Sequence, residues 1–344
     1  MTATLTYREA ARRALAEEMR RDPTVWALGE DLRQGGIFGQ YAGLLAEFGP
    51  TRVVDTPISE AAIVGGAVGA AMMGTRPVAE MRIADFALCA TDELVNQAAK
   101  ARYMFGGQAR VPLVARLPIG VWPALAAQHS QSLEALYTHI PGLVVTAPSS
   151  PADAHGLLKA AIRVDDPVVH MEHKGLWATE GAVPDDPDHL VPLGQARRVR
   201  EGHDLTVVTW SGMVPHCAET ADHLAAEGLG LEVIDLRTLW PWDQDAVLES
   251  VARTGRLLVV HEAVTVGGFG AEIAATVTET LFQALKAPVR RLGAPRAPVP
   301  YAPPLEAQVR VTASDVTRVA RAMMAETATS GGIRPKPTQR RTFA

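Results

Sequence analysis

The sequence predicts an α/β protein of two domains, each a mostly parallel sheet flanked by helices. Three observations carry this. Short apolar runs alternate with helical segments along the chain, and strands that read as continuous apolar stretches are those buried on both faces, as in parallel sheets. The alternation breaks over residues 178–192, where Pro184, Pro187 and Pro192 are interleaved with Glu180, Asp185, Asp186 and Asp188, and then resumes. The 344 residues are also a two-domain length. The expected division is a first domain over 1–180, a linker over 181–192, a second domain over 193–326 and a disordered tail over 327–344, which is polar and basic with Gly, Pro and Thr.

Tyr7 to Arg21 carries an apolar stripe at Ala11, Ala14, Leu15 and Met19, which predicts a helix. Val25 to Leu28 predicts a strand, ended by the turn Gly29-Glu30-Asp31, and Gly35-Gly36 breaks the chain before a short helix over Leu44–Phe48. A strand then runs to Asp55. A helix rich in small apolar residues covers Ala61 to Met73, with Thr56 and Ser59 as N-cap types and Pro57 suited to a helix start. Its glycines suggest close helix packing. Further along come a strand over Pro77–Glu80, a helix from about Ala90 to Tyr103 stopped by Gly106-Gly107, and a strand over Val111–Leu117. A loop from Gly120 to Gln128 leads to His129, followed by a strand over Leu143–Ala147, a helix over Pro151–Arg163 and a strand over Pro167–Met171.

The second half repeats the alternation. Strands are expected at Leu205–Trp210, Leu231–Asp235, Arg256–His261 and Pro288–Leu292, and helices at Pro215–Glu227, Asp243–Thr254, Gly268–Leu285 and Ala313–Met324. The net charge of −5 gives no sign of a nucleic-acid or anionic-membrane partner. Cys89 and Cys217 are far apart and form no CxxC pair, which fits a reducing compartment. The N-terminus shows no basic segment followed by an apolar core, and no apolar run reaches the roughly 18 residues a membrane span needs. The expectation is a cytoplasmic protein that binds neither nucleic acid nor membrane.

In a parallel sheet the functional crevice lies at the carboxyl ends of the strands. Glu60, Phe86 and His129 each follow a predicted strand, so the fold could bring them together there. Each also has a plainer reading: Glu60 as a first-turn acid that complements the helix dipole, Phe86 as core, His129 as a surface or capping histidine. Histidine titrates near neutral pH, which suits acid/base work. His261-Glu262 is not a metalloprotease signature, because Thr265 stands where a second histidine would be needed. Gly267-Gly268-Phe269-Gly270 opens a helix and could hold an anion, or be a tight turn only. There is no P-loop, serine elbow or metal-ligand cluster.

A set of segments in fixed order says more: Gly29-Glu30-Asp31, Asp55 to Glu60, Arg76 to Glu80, Ala84-Asp85-Phe86, Asn96 to Lys100, Gln128 to Gln131, His139 to Leu143, Asp165 to Val168, Val233 to Leu239 and Pro298 to Leu305. Together they closely resemble the E1 beta subunit of thiamine-diphosphate-dependent 2-oxo acid dehydrogenase complexes, over nearly the whole chain except the tail. The resemblance implies a transketolase-like pyrimidine-binding domain followed by a transketolase C-terminal-like domain. Met104 to Gly107, Ala126 to His129 and Glu172 to Lys174 are most similar to acetoin dehydrogenase. Gly267 to Glu272 and Pro300 to Glu306 are more similar to the pyruvate and branched-chain enzymes, so the substrate stays open.

The resemblance also implies roles. Glu60 matches the glutamate that hydrogen-bonds N1′ of the cofactor's aminopyrimidine and favours the tautomer whose 4′-nitrogen takes the proton from thiazolium C2. Phe86 matches the aromatic residue stacked on the aminopyrimidine, and Glu30 falls beside the cofactor with them. His129 matches the histidine implicated in acyl transfer to lipoamide. Leu113, Ala161, Ile162, Val164 and Asp166 match the ligands of a structural potassium ion, held mainly by backbone carbonyls. Mg²⁺ binding to the diphosphate is assigned in the family to a Gly-Asp-Gly motif on a separate alpha subunit. The expected assembly is therefore an alpha2-beta2 heterotetramer, inactive without alpha, that passes its acyl group to the lipoyl acyltransferase E2. Two segments depart from the family: Ile37 to Gly43, where relatives usually carry a threonine before the Gly-Leu, and the Gly120–Leu125 loop with Trp122-Pro123. They leave room for an E1-like enzyme that delivers acyl groups to a biosynthetic carrier protein. A non-catalytic scaffold paralogue is the remaining alternative.

Overall fold

The computed structural model describes residues 2–326; the tail over 327–344 lies outside the described residues. The chain opens with strand β1 (Thr2–Thr6) and helix α1 (Tyr7–Arg21). Thr6 and Glu9 form a capping box, satisfying N–H groups that the first turn leaves unpaired. Strand β2 (Val25–Gly29), helix α2 (Leu44–Phe48), strand β3 (Val53–Asp55), helix α3 (Glu60–Met72) and strand β4 (Arg76–Glu80) follow. Then come α4 (Ala99–Met104), β5 (Val114–Ile119), α5 (Glu134–Thr138), β6 (Val144–Thr146), α6 (Pro151–Arg163), β7 (Val168–His173) and β8 (Glu180–Pro184). Ser150 caps α6 and Pro151 occupies its first turn, where a missing N–H costs nothing.

The central sheet has seven strands in the order β12-β6-β7-β5-β4-β2-β3. All its pairs are parallel except the first, where β12 (Thr238–Trp240), from the second half of the chain, lies antiparallel on β6. The second sheet has five strands, β14-β13-β10-β11-β9: β9 (Arg197–Arg200), β10 (Leu205–Thr209), β11 (Leu231–Asp235), β13 (Leu257–Val264) and β14 (Arg290–Ala294). Only β9 runs antiparallel in it. It is flanked by α7 (Met213–Ala225), α8 (Gln244–Thr254), α9 (Gly270–Leu281), the short α10 (Pro303–Glu306) and α11 (Ala313–Ala325). Strands β5 and β7 are buried along their whole length, as a parallel sheet covered on both faces requires.

Three features differ from the sequence reading. The stretch read as a linker begins with a strand: β8 pairs antiparallel with β1, Thr6 opposite Glu180 and Thr2 opposite Pro184. The helix expected over 90–103 is composite: a 3₁₀ turn over Ala84–Ala90, a π-helical stretch over Glu93–Ala98 and then α4. Helix α3 starts at Glu60, and its N-cap Ser59 makes no side-chain capping bond, so the Glu60 charge is what complements the helix N-terminus.

The two halves are joined by buried polar contacts. Asp153 and Asp235 share Arg197, each 3.2 Å from its Nη2, and Arg237 Nη1 reaches Asp153 at 3.2 Å. Burial and the neighbouring Asp153 charge push the Asp235 carboxyl up to about 6. Trp210 Nε1 donates to Glu134 at 3.1 Å, and His173 Nε2 meets Glu262 at 2.8 Å.

Candidate active site

The strand order β5-β4-β2-β3 places four carboxyl ends side by side, and each is followed by a residue singled out from the sequence. Glu30 follows β2, Glu60 opens the helix after β3, Phe86 lies on the turn after β4, and His129 lies in the loop after β5. The fold therefore gathers them at one edge. Helix α3 packs on the 3₁₀ turn that carries Phe86. Phe86 and His129 are in direct contact, ring centroids 5.1 Å apart and planes at 82°, an edge-to-face pair.

Glu60 is half-buried, and neither a hydrogen bond nor an ion pair of its carboxylate is found among the described residues. Its charge acts on Glu30: burial, and then Glu60, push the Glu30 carboxyl up. Arg82 partly offsets this from 3.5 Å and reaches Asp31 at 3.4 Å. Two carboxyls close enough for one charge to act on the other, with Glu30 held toward its protonated form, suit a site that receives and passes a proton. Thr56 Oγ1, four residues before Glu60, is buried without a partner among the described residues, while Thr56 N–H ties β3 to Gly29 O at 3.0 Å. An unpartnered carboxylate acceptor, an orphan hydroxyl and an aromatic ring suit the aminopyrimidine end of thiamine diphosphate: a ring nitrogen to hydrogen-bond and a flat face to stack.

The imidazole of His129 has no hydrogen-bond partner among the described residues, but its main chain is firmly held. Lys174, fully buried, donates to His129 O at 2.8 Å. Asp85 accepts from Gln131 Nε2 at 2.7 Å and Gln131 N–H at 3.4 Å. Glu262, from the other domain, accepts from Val121 N–H and Ser132 Oγ, both at 3.2 Å, and from His173 Nε2. Glu306 accepts Ala124 N–H at 3.0 Å. Gly120, at φ +89°, passes so close to His173 that a Cβ there would stand 2.1 Å from Nε2. Sequence reasoning listed Glu172-His173-Lys174 and His261-Glu262 without giving Lys174 or Glu262 a role. The available signal was a charged pair directly after an apolar strand.

The two departures from the family meet in space. Phe38 packs on Trp122 (5.7 Å) and Trp177 (4.7 Å), and Trp122 on Trp177 (5.9 Å). Tyr41, in the first of these segments, is fully buried and donates from Oη to Glu80 at 2.7 Å. Below the crevice Arg116 makes a bidentate pair with Glu172, both contacts at 2.9 Å, and lies 3.7 Å from Glu80.

Of the residues matched to a potassium ion, Ile162 and Val164 turn their carbonyls to Arg76 Nη1 at 3.0 and 2.9 Å, and Leu113 O accepts Val168 N–H at 2.8 Å. The side chain of Asp166 pairs with Arg102 at 2.5 Å. A guanidinium already meets two of these carbonyls, so as arranged they do not fit a potassium ion. Gly268 and Gly270 serve packing: a Cβ at either would stand 2.8 or 2.9 Å from the His261 ring, and Gly293 closes on the same ring at 2.7 Å, whereas Gly267, at φ +70°, serves the turn.

Residues 3–179 match the transketolase pyrimidine-binding domain and residues 194–316 the transketolase C-terminal domain. The chain is 45% identical over 335 residues to the beta subunit of acetoin:2,6-dichlorophenolindophenol oxidoreductase of Cupriavidus necator, covering 94% of this chain and 98% of that one. It is 44% identical to the 2-oxoisovalerate dehydrogenase subunit beta of Bacillus subtilis, covering 88% and 93%. It is 45% identical to the pyruvate dehydrogenase E1 component subunit beta of Rhizobium meliloti, covering 88% of this chain and 66% of that one. A solved structure of a split-gene transketolase, an inactive beta4 tetramer, superposes with a TM-score of 0.74 over 93% of this chain and 98% of that one, at 24% identity. That last likeness speaks to the fold alone.

Proposed function

We propose, because this chain belongs to the family of E1 beta subunits of 2-oxo acid and acetoin dehydrogenases with transketolase-like domains, that it supplies the aminopyrimidine half of a thiamine diphosphate site shared with an alpha subunit. The observation that carries the reading is the gathering of an unpartnered Glu60, its partner acid Glu30 and the Phe86–His129 pair at adjacent strand ends. Bound there, thiamine diphosphate supplies the carbon nucleophile and electron sink needed to cleave the bond beside a substrate carbonyl.

Glu60 would hydrogen-bond the ring nitrogen, donating to it as a carboxylic acid or accepting its N–H once that proton has moved, and Glu30, whose carboxyl is held up by burial and the Glu60 charge, would serve as the adjoining proton store. Phe86 holds the ring by its face. His129, whose imidazole nitrogens have no partner among the described residues, would be available to donate or take a proton in transfer of an acyl group to the lipoyl group of E2. The assembly is an alpha2-beta2 heterotetramer whose alpha chain brings the Mg²⁺ and the diphosphate contacts. A potassium ion would have to share the Ile162 and Val164 carbonyls with Arg76. No described helix is long and apolar enough to cross a membrane, and both cysteines are free thiols; we place the enzyme in the cytoplasm.

Relatives named for acetoin, 2-oxoisovalerate and pyruvate stand at 44–45% identity, so overall likeness does not choose the substrate. The Phe38–Trp122–Trp177 cluster beside the His129 loop keeps open an acyl carrier other than lipoamide. Co-expression with the cognate alpha-type chain, with thiamine diphosphate, Mg²⁺ and an artificial electron acceptor, tests the proposal across acetoin, pyruvate and branched 2-oxo acids. Turnover that needs both chains supports it. A stable, cofactor-binding complex with no turnover on any of them would favour a scaffold role.

A further inference from the structure

Lys174 is a fully buried cation whose ammonium has, among the described residues, a single hydrogen-bond acceptor, the main-chain carbonyl of His129 at 2.8 Å. Burying an ammonium is costly unless it is balanced, and two carboxylates act on it here, Asp85 and Glu262. The same two carboxylates hold the chain on either side of His129: Glu262 at Val121 and Ser132, Asp85 at Gln131. Asp85 also immediately precedes Phe86, whose ring meets the imidazole. One set of charges, the Asp85 and Glu262 carboxylates and the Lys174 ammonium, drawn from both domains, thus holds His129 by its backbone while its ring nitrogens have no partner among the described residues.

We propose that Lys174 is the positioning residue for His129: its ammonium, bound to the His129 carbonyl between Asp85 and Glu262, fixes the imidazole against Phe86 and thereby governs acyl transfer rather than carbon–carbon cleavage. This rests on the reading of His129 as the acyl-transfer histidine. A displacement of about 1 Å at a reacting group costs on the order of a hundred-fold in rate. Loss of the Lys174 contact is therefore expected to slow acyl transfer by about that factor and to leave cleavage nearly unchanged. Burial, against the pull of Asp85 and Glu262, brings the Lys174 ammonium down to about 8. His173 lies beside this set through its contact with Glu262. Acyl transfer should then fall relative to cleavage as pH rises past that value, because the one cation held between the two carboxylates is lost.

The test uses the assembled enzyme with its alpha-type partner. Two half-reactions are measured, 2-oxo acid cleavage with an artificial electron acceptor and reductive acylation of a free lipoyl domain. The chains are wild type, Lys174→Met, Lys174→Gln (which keeps a donor without the charge), His129→Ala and the His129→Ala/Lys174→Met double variant. The expected pattern is selective loss of acylation in Lys174→Met, partial recovery in Lys174→Gln, and no further loss when Lys174→Met is added to His129→Ala. Equal loss of both half-reactions, or additive losses in the double variant, overturns the proposal by making Lys174 a structural residue only. Should the Lys174 variants fail to assemble, the wild-type ratio of the two rates against pH decides: a flat ratio through pH 8 overturns it. If His129→Ala itself leaves acylation intact, the underlying role of His129 fails, with a signature distinct from failure of Lys174 alone.

Discussion

Replacing Arg116 by methionine should be among the most damaging single changes in the first domain, and its cost should depend on pH. Arg116 is 1% exposed and holds Glu172 through two contacts at 2.9 Å, with Glu80 at 3.7 Å and the Tyr41 ring 5.2 Å from its guanidinium carbon. Burial pushes both carboxyls up. The guanidinium, with His170, overcomes this at Glu172 and brings it down to about 2, while Glu80 remains up at about 7. Truncation leaves two carboxylates buried without their cation, a loss of about 3–5 kcal/mol near pH 8. In the variant the guanidinium no longer opposes burial at Glu172 and only the weaker His170 and Trp177 contacts do, so its folded-state pKa rises above the unfolded value. The protonated form is then favoured, and stability is regained as pH falls. In the wild type, whose Glu172 is depressed, that contribution is already complete above the unfolded pKa and does not change between pH 5.5 and 8. The deficit of the variant should therefore shrink by more than about 1 kcal/mol between pH 8 and 5.5, since one pKa unit is worth about 1.4 kcal/mol. Urea unfolding of the full chain at both pH values measures it, with Arg116→Met/Glu172→Leu, an uncharged pair, expected to be far milder. A deficit under about 1 kcal/mol, or one equal at both pH values, would refute the claim that this network is a charge-balanced unit. The network also bears on the site, because Gly29, next to Glu30, lies so close to Glu80 that a Cβ there would stand 2.9 Å from its Cβ.

His261 is buried neutral, with Trp210 stacked at 5.4 Å, and burial brings its imidazole down to about 4. The unfolded chain takes up that proton below its ordinary value near 6.5 while the folded chain does not. Stability should therefore be unaffected above pH 6.5 and fall by up to about 3 kcal/mol as pH drops from 6.5 toward 4; His261→Asn should lose this component when urea midpoints are compared across that range. Gly120→Ala should disrupt the His173–Glu262 contact and displace the His129 loop, because the added Cβ meets His173 at 2.1 Å on a backbone at φ +89°. Normal folding and normal acyl transfer in that variant would mean that the loop adapts more freely than its packing indicates.

Much of the fold is legible in local sequence because helix ends carry chemical marks. Thr6 and Glu9 fix the start of α1, Ser150 and Pro151 that of α6, and both helices end where the sequence puts them. The strands that escape are those whose partners are remote. Thr2–Thr6 and Glu180–Pro184 have no local reason to be strands and exist by pairing with each other; Thr238–Trp240 leaves its own half to pair with β6. The mixed helical run from Ala84 to Met104 shows no local mark of its π-helical stretch. At the site, Glu60, Phe86 and His129 had ordinary local explanations, and the family resemblance together with the rule of carboxyl strand ends gave them roles. Lys174 and Glu262 were invisible as site residues because their meaning lies in contacts across 45 residues to His129 and 141 residues to Val121.

The most direct test of the account is turnover of the Glu60→Gln enzyme assembled with its alpha-type chain, compared with wild type under saturating cofactor. The side chain keeps its size and loses the acid. The account predicts an intact heterotetramer that binds cofactor and loses activity by about a hundred-fold or more, the contribution expected of a proton-transfer group. Wild-type turnover in that variant would contradict the assignment of Glu60, and with it the reading of this chain as the activating half of a shared thiamine diphosphate site.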